Sequence, residues 1–281
     1  MEYLPEQNEC DQDPGGPALG IFDRVNNYLL LIYAVACFFM YFSISGLLIL
    51  RGSIILSLIV PGIIAFIIPM ILLSRRFSLS FRREYRVEIP DPLTAALVLV
   101  VAGGSILPVD AIASYFERMH PPDADYINFL LSIKPKGVFA LIATGFGTVI
   151  VTPLGEELLF RGFVQRIFQR NMRGYLAVTL ASVIFALCHF SIALLPGVII
   201  LGALFGYIFY RTGNLLYPVF AHALYNLVSL IRLHAMSESA IEAAEISSPS
   251  VVWTVISALA LLAGIYLLER RHTGEEPAPH I

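Results

Sequence analysis

Hydrophobic runs of membrane-spanning length recur along this chain, separated by short polar stretches. They fall at 27–50, 54–73, 93–116, 137–154, 174–192, 196–210, 214–235 and 250–268. A helix needs roughly 17–25 apolar residues to cross the hydrocarbon core of a bilayer. Most of the runs approach that length, although 196–210 is short. Pro108 and Asp110 interrupt the third, so 93–116 reads as tilted, broken or partly interfacial. Backbone polar groups find no water inside lipid, so each run reads as helix. The pattern predicts an all-α polytopic membrane bundle of about eight transmembrane helices with a buried polar site. Residues 156–170 are amphipathic and continue the fourth run. Pro61, Pro69 and Pro153 are expected to kink or end helices. Pro153 with Gly155 marks a break just before a pair of glutamates.

Composition sharpens this picture. Of the 281 residues, 57% are hydrophobic and 14% charged. Soluble domains run at about 45–50% apolar and about 25% charged. The length therefore reads as one membrane domain, not two soluble ones. A formal charge of −3 gives no reason to expect nucleic-acid binding. Cys10, Cys37 and Cys188 show neither CxxC spacing nor a disulfide framework. Cys188 precedes His189 directly, and its plainer reading is a small buried hydrophobe.

Basic residues near helix ends set orientation. Arg75, Arg76, Arg82, Arg83 and Arg86 crowd the loop 74–92, whereas the next loop carries Glu117, Asp123 and Asp125 with Arg118. Arg166, Arg170 and Arg173 follow the fourth run, Arg211 the sixth, and Arg270 and Arg271 the last. The loop 236–249 is acidic, with Glu238, Glu242 and Glu245. This alternation puts both termini in the cytosol, with Lys134 and Lys136 as exceptions on the outer side. Residues 1–25 are polar and acidic and lack a signal peptide's basic start and apolar core, so they read as a flexible cytosolic tail.

Three polar signals interrupt the apolar text. The first is Glu156-Glu157-Leu-Leu-Phe-Arg161. Ionisable residues in membrane segments are costly and usually face a cavity, a partner or a reaction. Glu157 and Arg161 are i,i+4 and share a helix face, whereas Glu156 points about 100° away. The natural division pairs Glu157 with Arg161 and turns Glu156 to a reacting centre. The blander alternative is two acids favoured at a helix N-terminus. The second signal is Phe185-Ala-Leu-Cys-His189. Taken alone, that histidine reads as a satisfied core residue. The third is His222-Ala-Leu-Tyr-Asn226, whose i,i+4 spacing lets both side chains donate to one oxygen. Taken alone, it reads as helix–helix glue. Jointly the three offer a carboxylate, two imidazoles and an amide, enough to activate a water and stabilise an oxyanion. Gly197, Gly202, Ala203 and Gly206 permit the close helix approach such a site needs.

These motifs, in this order on membrane helices, resemble the type II CAAX prenyl endopeptidase and bacteriocin-processing (CPBP, or Abi) family, and no motif position departs from the pattern. The resemblance covers 137–235. It implies an intramembrane glutamate-type peptidase whose site opens to the cytosol. Glu156 and His189 would activate water; His222 and Asn226 would hold the oxyanion. Glu157 and Arg161 would keep the site's shape, with Phe185 in support. The chain then divides into a flexible cytosolic tail (1–25), accessory transmembrane helices (26–136), a CPBP-like catalytic core (137–235) and a final transmembrane helix with a cytosolic tail (236–281). The expected protein is a multi-pass component of a bacterial-type cell membrane, its partners the lipid bilayer and a protein or peptide substrate, lipidated or not.

The family is often labelled metalloprotease, so zinc is a possible cofactor, with Glu156, His189 and His222 as ligands. Metal-free chemistry is favoured, because His-Glu-x-x-His is absent and Asn ligates zinc poorly. The competing functions are a membrane scaffold or bacteriocin-immunity protein without turnover, and a transporter. A transporter more often shows paired broken helices in two related halves, and no halves are evident.

Overall fold

Every regular element among the described residues is helical. The computed structural model describes residues 20–244, 246 and 248–273. In chain order the helices are α1 (Ile21–Arg24), α2 (Asn27–Leu50), α3 (Ile54–Arg76), α4 (Phe81–Glu84), α5 (Pro92–Met119) and α6 (Ala124–Ile133). There follow α7 (Val138–Gln169), α8 (Gly174–Leu187), α9 (Leu195–Thr212), α10 (Leu216–Ala235), α11 (Glu238–Glu242) and α12 (Val251–Arg271). Seven of these, α2, α3, α5, α7, α9, α10 and α12, are long and apolar enough to cross a membrane. Large apolar side chains such as Leu29, Phe39, Ile142, Leu259 and Tyr266 lie exposed on their outer faces. That is a liability in water and the expected surface in lipid. This is an all-α polytopic bundle.

The sequence expectations need four corrections. The fifth run was expected to extend over 174–192, but α8 has 14 residues and ends at Leu187. The third run is not broken: α5 is one helix of 28 residues with Pro108 inside it. The third concerns Pro153, which does not break the chain before the glutamates. α7 runs on through it, because a π-helical stretch at Phe146–Val151 precedes the proline. There Thr152 N–H reaches Gly147 O, an i→i−5 bond. In that register the next donor is residue 153, and proline has no N–H to give. The carbonyl of Thr148 is thereby released, and Asn226 Nδ2 takes it at 2.8 Å. The fourth correction concerns the tail. Ile21 and Phe22 are buried, and Ile21 N–H donates to Glu84 Oε1 at 3.3 Å. The loose-tail expectation therefore fails for α1, whose two apolar anchors sit inside polar text. Residues 1–19, with Cys10, and 274–281 lie outside the described residues.

The two lysine exceptions have local explanations. Lys134 Nζ donates to the carbonyls of Leu233, His234 and Met236, closing the C-terminal end of α10. Lys136 pairs with Glu238 at 3.1 Å. The stretch expected as a plain loop also holds α6, with Asp123 accepting from Tyr126 N at its start.

Two apolar cores position the site. One gathers α1 to α4 around α7, with Phe66, Met70, Tyr85, Leu158 and Phe163 fully enclosed and Phe185 at its edge. The other joins α5, α9, α10 and α12 through Val98, Val101, Phe205 and Ile208. α5 and α12 cross in backbone contact at Gly104, where a Cβ would sit 2.5 Å from Leu261 N. Ser257 Oγ donates to Gly104 O at 3.1 Å across this crossing. The polar residues lie on the seam between the two cores, where Phe185 and Phe205 face the same guanidinium, that of Arg161.

Candidate active site

A second π-helical stretch, Phe160–Gln165, turns the residues after the glutamates toward α9. Arg161 Nη2 donates to Gly202 O at 3.0 Å, and Gln165 Nε2 donates to Gly206 O at 3.0 Å. Both ladders step by one helical turn. Gly206 permits the approach, since a Cβ there would lie 2.8 Å from Gln165 Oε1, and Gly202 lets α8 close in, since a Cβ there would lie 3.2 Å from Phe185 Cδ1 and Ser182 Cβ.

The expected Glu157–Arg161 pair is present at 3.2 Å, with both side chains buried. The guanidinium lies over the Phe185 ring at 4.5 Å and the Phe205 ring at 5.8 Å. A buried pair of opposite charges is tolerated because each ion offsets the desolvation of the other. Glu157 also reaches beyond its own helix. His222 Nδ1 lies 2.8 Å from Glu157 Oε1, and His222 Nε2 lies 3.9 Å from Glu156 Oε2. The His222 ring stacks on Phe205 at 4.9 Å and 19°.

His189 is placed by a helix end. α8 stops at Leu187, and Phe190 takes a positive φ of 50°. The last carbonyls of a helix lack backbone partners, and a nearby His side chain can serve. Here His189 Nδ1 meets Phe185 O at 2.9 Å. A carbonyl only accepts, so Nδ1 is the donor, and in the neutral ring Nε2 keeps its lone pair. Phe185 braces both imidazoles, at 4.9 Å from His189 and 6.1 Å from His222.

Glu156 and His189 line one cavity of about 190 Å³, together with Cys188, Phe185, Phe160, Phe38, Tyr41, Phe42 and Phe66. Glu156, Glu157, Arg161, Phe185, His189 and His222 are thus brought together from α7, the end of α8 and α10. Asn226 is one turn beyond His222 and is held at Thr148 O, not on the wall that Glu156 and His189 share. One Asn N–H meets that carbonyl and the second remains free for another acceptor.

Sequence reasoning missed Phe205, Thr148 and the α2 aromatics. Phe205 carries no polar signal, and Thr148 acts through its backbone. The three α2 positions, Phe38, Tyr41 and Phe42, look like ordinary lipid-facing text. Among the described residues no three His, Cys, Asp or Glu side chains are placed to hold a metal ion. The Nδ1 atoms of His189 and His222 are engaged with Phe185 O and Glu157 Oε1, so a metal here would be met through the two Nε2 atoms.

Residues 138–228 match the family model described as Rce1-like, type II CAAX prenyl endopeptidase. This is the family the three motifs resemble, and the match falls within the 137–235 expected from them. No curated protein and no solved structure matches the chain.

Proposed function

We propose that this chain, an integral multi-pass membrane protein whose residues 138–228 match a type II CAAX prenyl endopeptidase model, hydrolyses a peptide bond in a membrane-associated or lipidated protein or peptide. The observation that carries the reading is the cavity in which a carboxylate and an imidazole with a free Nε2 face the same space, walled by aromatic rings.

Glu156, with His189 Nε2 beside it, takes a proton from a cavity water as that water attacks the scissile carbonyl. The negative charge that develops on the carbonyl oxygen is met from α10. His222, as an imidazolium whose Nδ1–H is held by Glu157 and whose Nε2–H is free, and the free N–H of Asn226 donate to it. Glu156 then returns its proton to the departing amine. Glu157 anchors His222 and is itself neutralised by Arg161, so donor geometry is set before substrate arrives. Preorganised donors of this kind are worth more in a dry site than in water. Both termini on the cytosolic side, in a bacterial-type membrane, complete the reading.

The test is a cleavage screen of membrane-tethered reporter peptides, prenylated and unprenylated, with purified protein of measured metal content. Wild type should cleave, and Glu156→Gln should lose activity by about 10²–10⁴-fold. No cleavage by wild type, with binding of the same peptides that survives in Glu156→Gln, favours a scaffold without turnover; full cleavage by Glu156→Gln overturns Glu156 as the base.

A further inference from the structure

α2 lies outside the matched segment, yet it supplies three of the rings that enclose the cavity: Phe38, Tyr41 and Phe42. One of the three carries a hydroxyl. Two other polar side chains of α2 are accounted for by backbone partners. Tyr33 Oη donates to Pro69 O at 2.8 Å, and Ser43 Oγ donates to Phe39 O at 2.8 Å. Tyr41 Oη has no hydrogen-bond partner among the described residues, although a phenol in apolar surroundings normally finds one. The polar groups that share its cavity are Glu156 and His189.

The ring is held firmly. Tyr41 stacks on Phe66 at 4.7 Å with an interplanar angle of 1°, and meets Phe42 edge-on at 5.4 Å. Phe66 in turn packs on Gly155, where a Cβ would sit 3.2 Å from Phe66 Cδ2. The stack therefore rests on the backbone that carries Glu156. Tyr41 and Glu156 line the same cavity with no direct hydrogen bond between them. A gap of this kind between two polar groups is commonly closed by one water. At about 190 Å³ the cavity holds several, given a share of about 30 Å³ for each.

We infer that Tyr41 is a positioning residue for Glu156: its hydroxyl donates through a bridging water to the Glu156 carboxylate and fixes the orientation in which that carboxylate meets the peptide. This rests on the endopeptidase reading of the cavity. It makes α2 part of the working site and not a lipid-facing accessory. A purely structural Tyr41 would act through its ring alone.

Tyr41→Phe separates the two, because it keeps the ring and the stack and removes one oxygen. The expected result is a fall in kcat of about tenfold or more with KM and melting temperature unchanged, since a misaligned base slows the chemical step without weakening binding. A second readout needs no turnover. In protein labelled with ¹³C-carboxyl glutamate, the infrared difference between wild type and Tyr41→Phe should contain a carboxylate band that disappears when the pair is compared in a Glu156→Gln background. Wild-type kcat with an unmoved band overturns the inference. So does a fall in kcat that tracks lost stability while the band stays in place. If wild type cleaves no peptide at all, the endopeptidase reading fails, and the band alone then decides Tyr41: present, it supports the bridge; absent, it overturns it.

Discussion

His222 Nδ1 and Arg161 Nη1 share one acceptor, Glu157 Oε1, at 2.8 Å and 3.2 Å. Arg161 donates to that oxygen, which therefore accepts, and Nδ1 of His222 is its second donor. The imidazole is thereby turned to present Nε2 on the Glu156 side, 3.9 Å from Oε2. Glu157 is thus the hinge between the helix that carries the base and the helix that carries the oxyanion donors.

Removing that hinge should cost stability as well as activity. Glu157→Gln leaves a fully buried guanidinium without its counter-ion, and such a loss costs about 3–5 kcal/mol. Thermal unfolding in detergent should show a large drop. Pairing the change with Arg161→Met should recover much of it, because the uncompensated charge is gone. Activity should not return in the double variant, since an amide oxygen holds His222 Nδ1 without the carboxylate's charge.

Asn226 serves two partners, so its loss has two signatures. Asn226→Ala removes an oxyanion donor and should lower kcat by about 10²–10³-fold. It also strips the Thr148 carbonyl of its hydrogen bond, worth about 1 kcal/mol. Turnover kinetics should show the first effect at full size while unfolding shows only the second, small one.

The contrast between Glu157 and Asn226 shows what the sequence can and cannot tell. The Glu157–Arg161 pair is an i,i+4 relation, and helix geometry alone foretells it. The π-helical register before Pro153 is invisible in hydropathy, and with it the freed carbonyl that fixes Asn226. The end of α8 escaped the run 174–192 because Phe190 and Ile192 are apolar although they follow the helix, where Phe190 turns to positive φ. Phe205 and Tyr41 join the site only by tertiary packing, and nothing in their local text separates them from lipid-facing neighbours.

Away from the site, the α5–α12 crossing should be intolerant of any side chain at Gly104. A Cβ there meets backbone at 2.5 Å and cannot be relieved by a rotamer change. Gly104→Val should lower stability by several times the roughly 1 kcal/mol typical of a point change. Cleavage per folded molecule, measured at low temperature, should stay near wild type, because this crossing does not touch the cavity.

The clamp of α1 on the end of α7 should show in acid. Arg170 donates to Asp23 at 3.0 Å and holds that carboxyl below its usual value of 3.8. A depressed folded-state value stabilises above the unfolded one, and that contribution is lost as pH falls through the folded value. Asp23→Asn should therefore melt lower than wild type near neutral pH, by no more than about 1 kcal/mol for a pair this exposed. The gap should close below about pH 4 when melting is followed against pH.

The most direct measurement is single-turnover cleavage in H₂¹⁸O, read by mass spectrometry of the new C-terminus. The prediction is one ¹⁸O in the product carboxyl with wild-type protein and no product with Glu156→Gln. Equal labelled product from both proteins would contradict a water activated at Glu156.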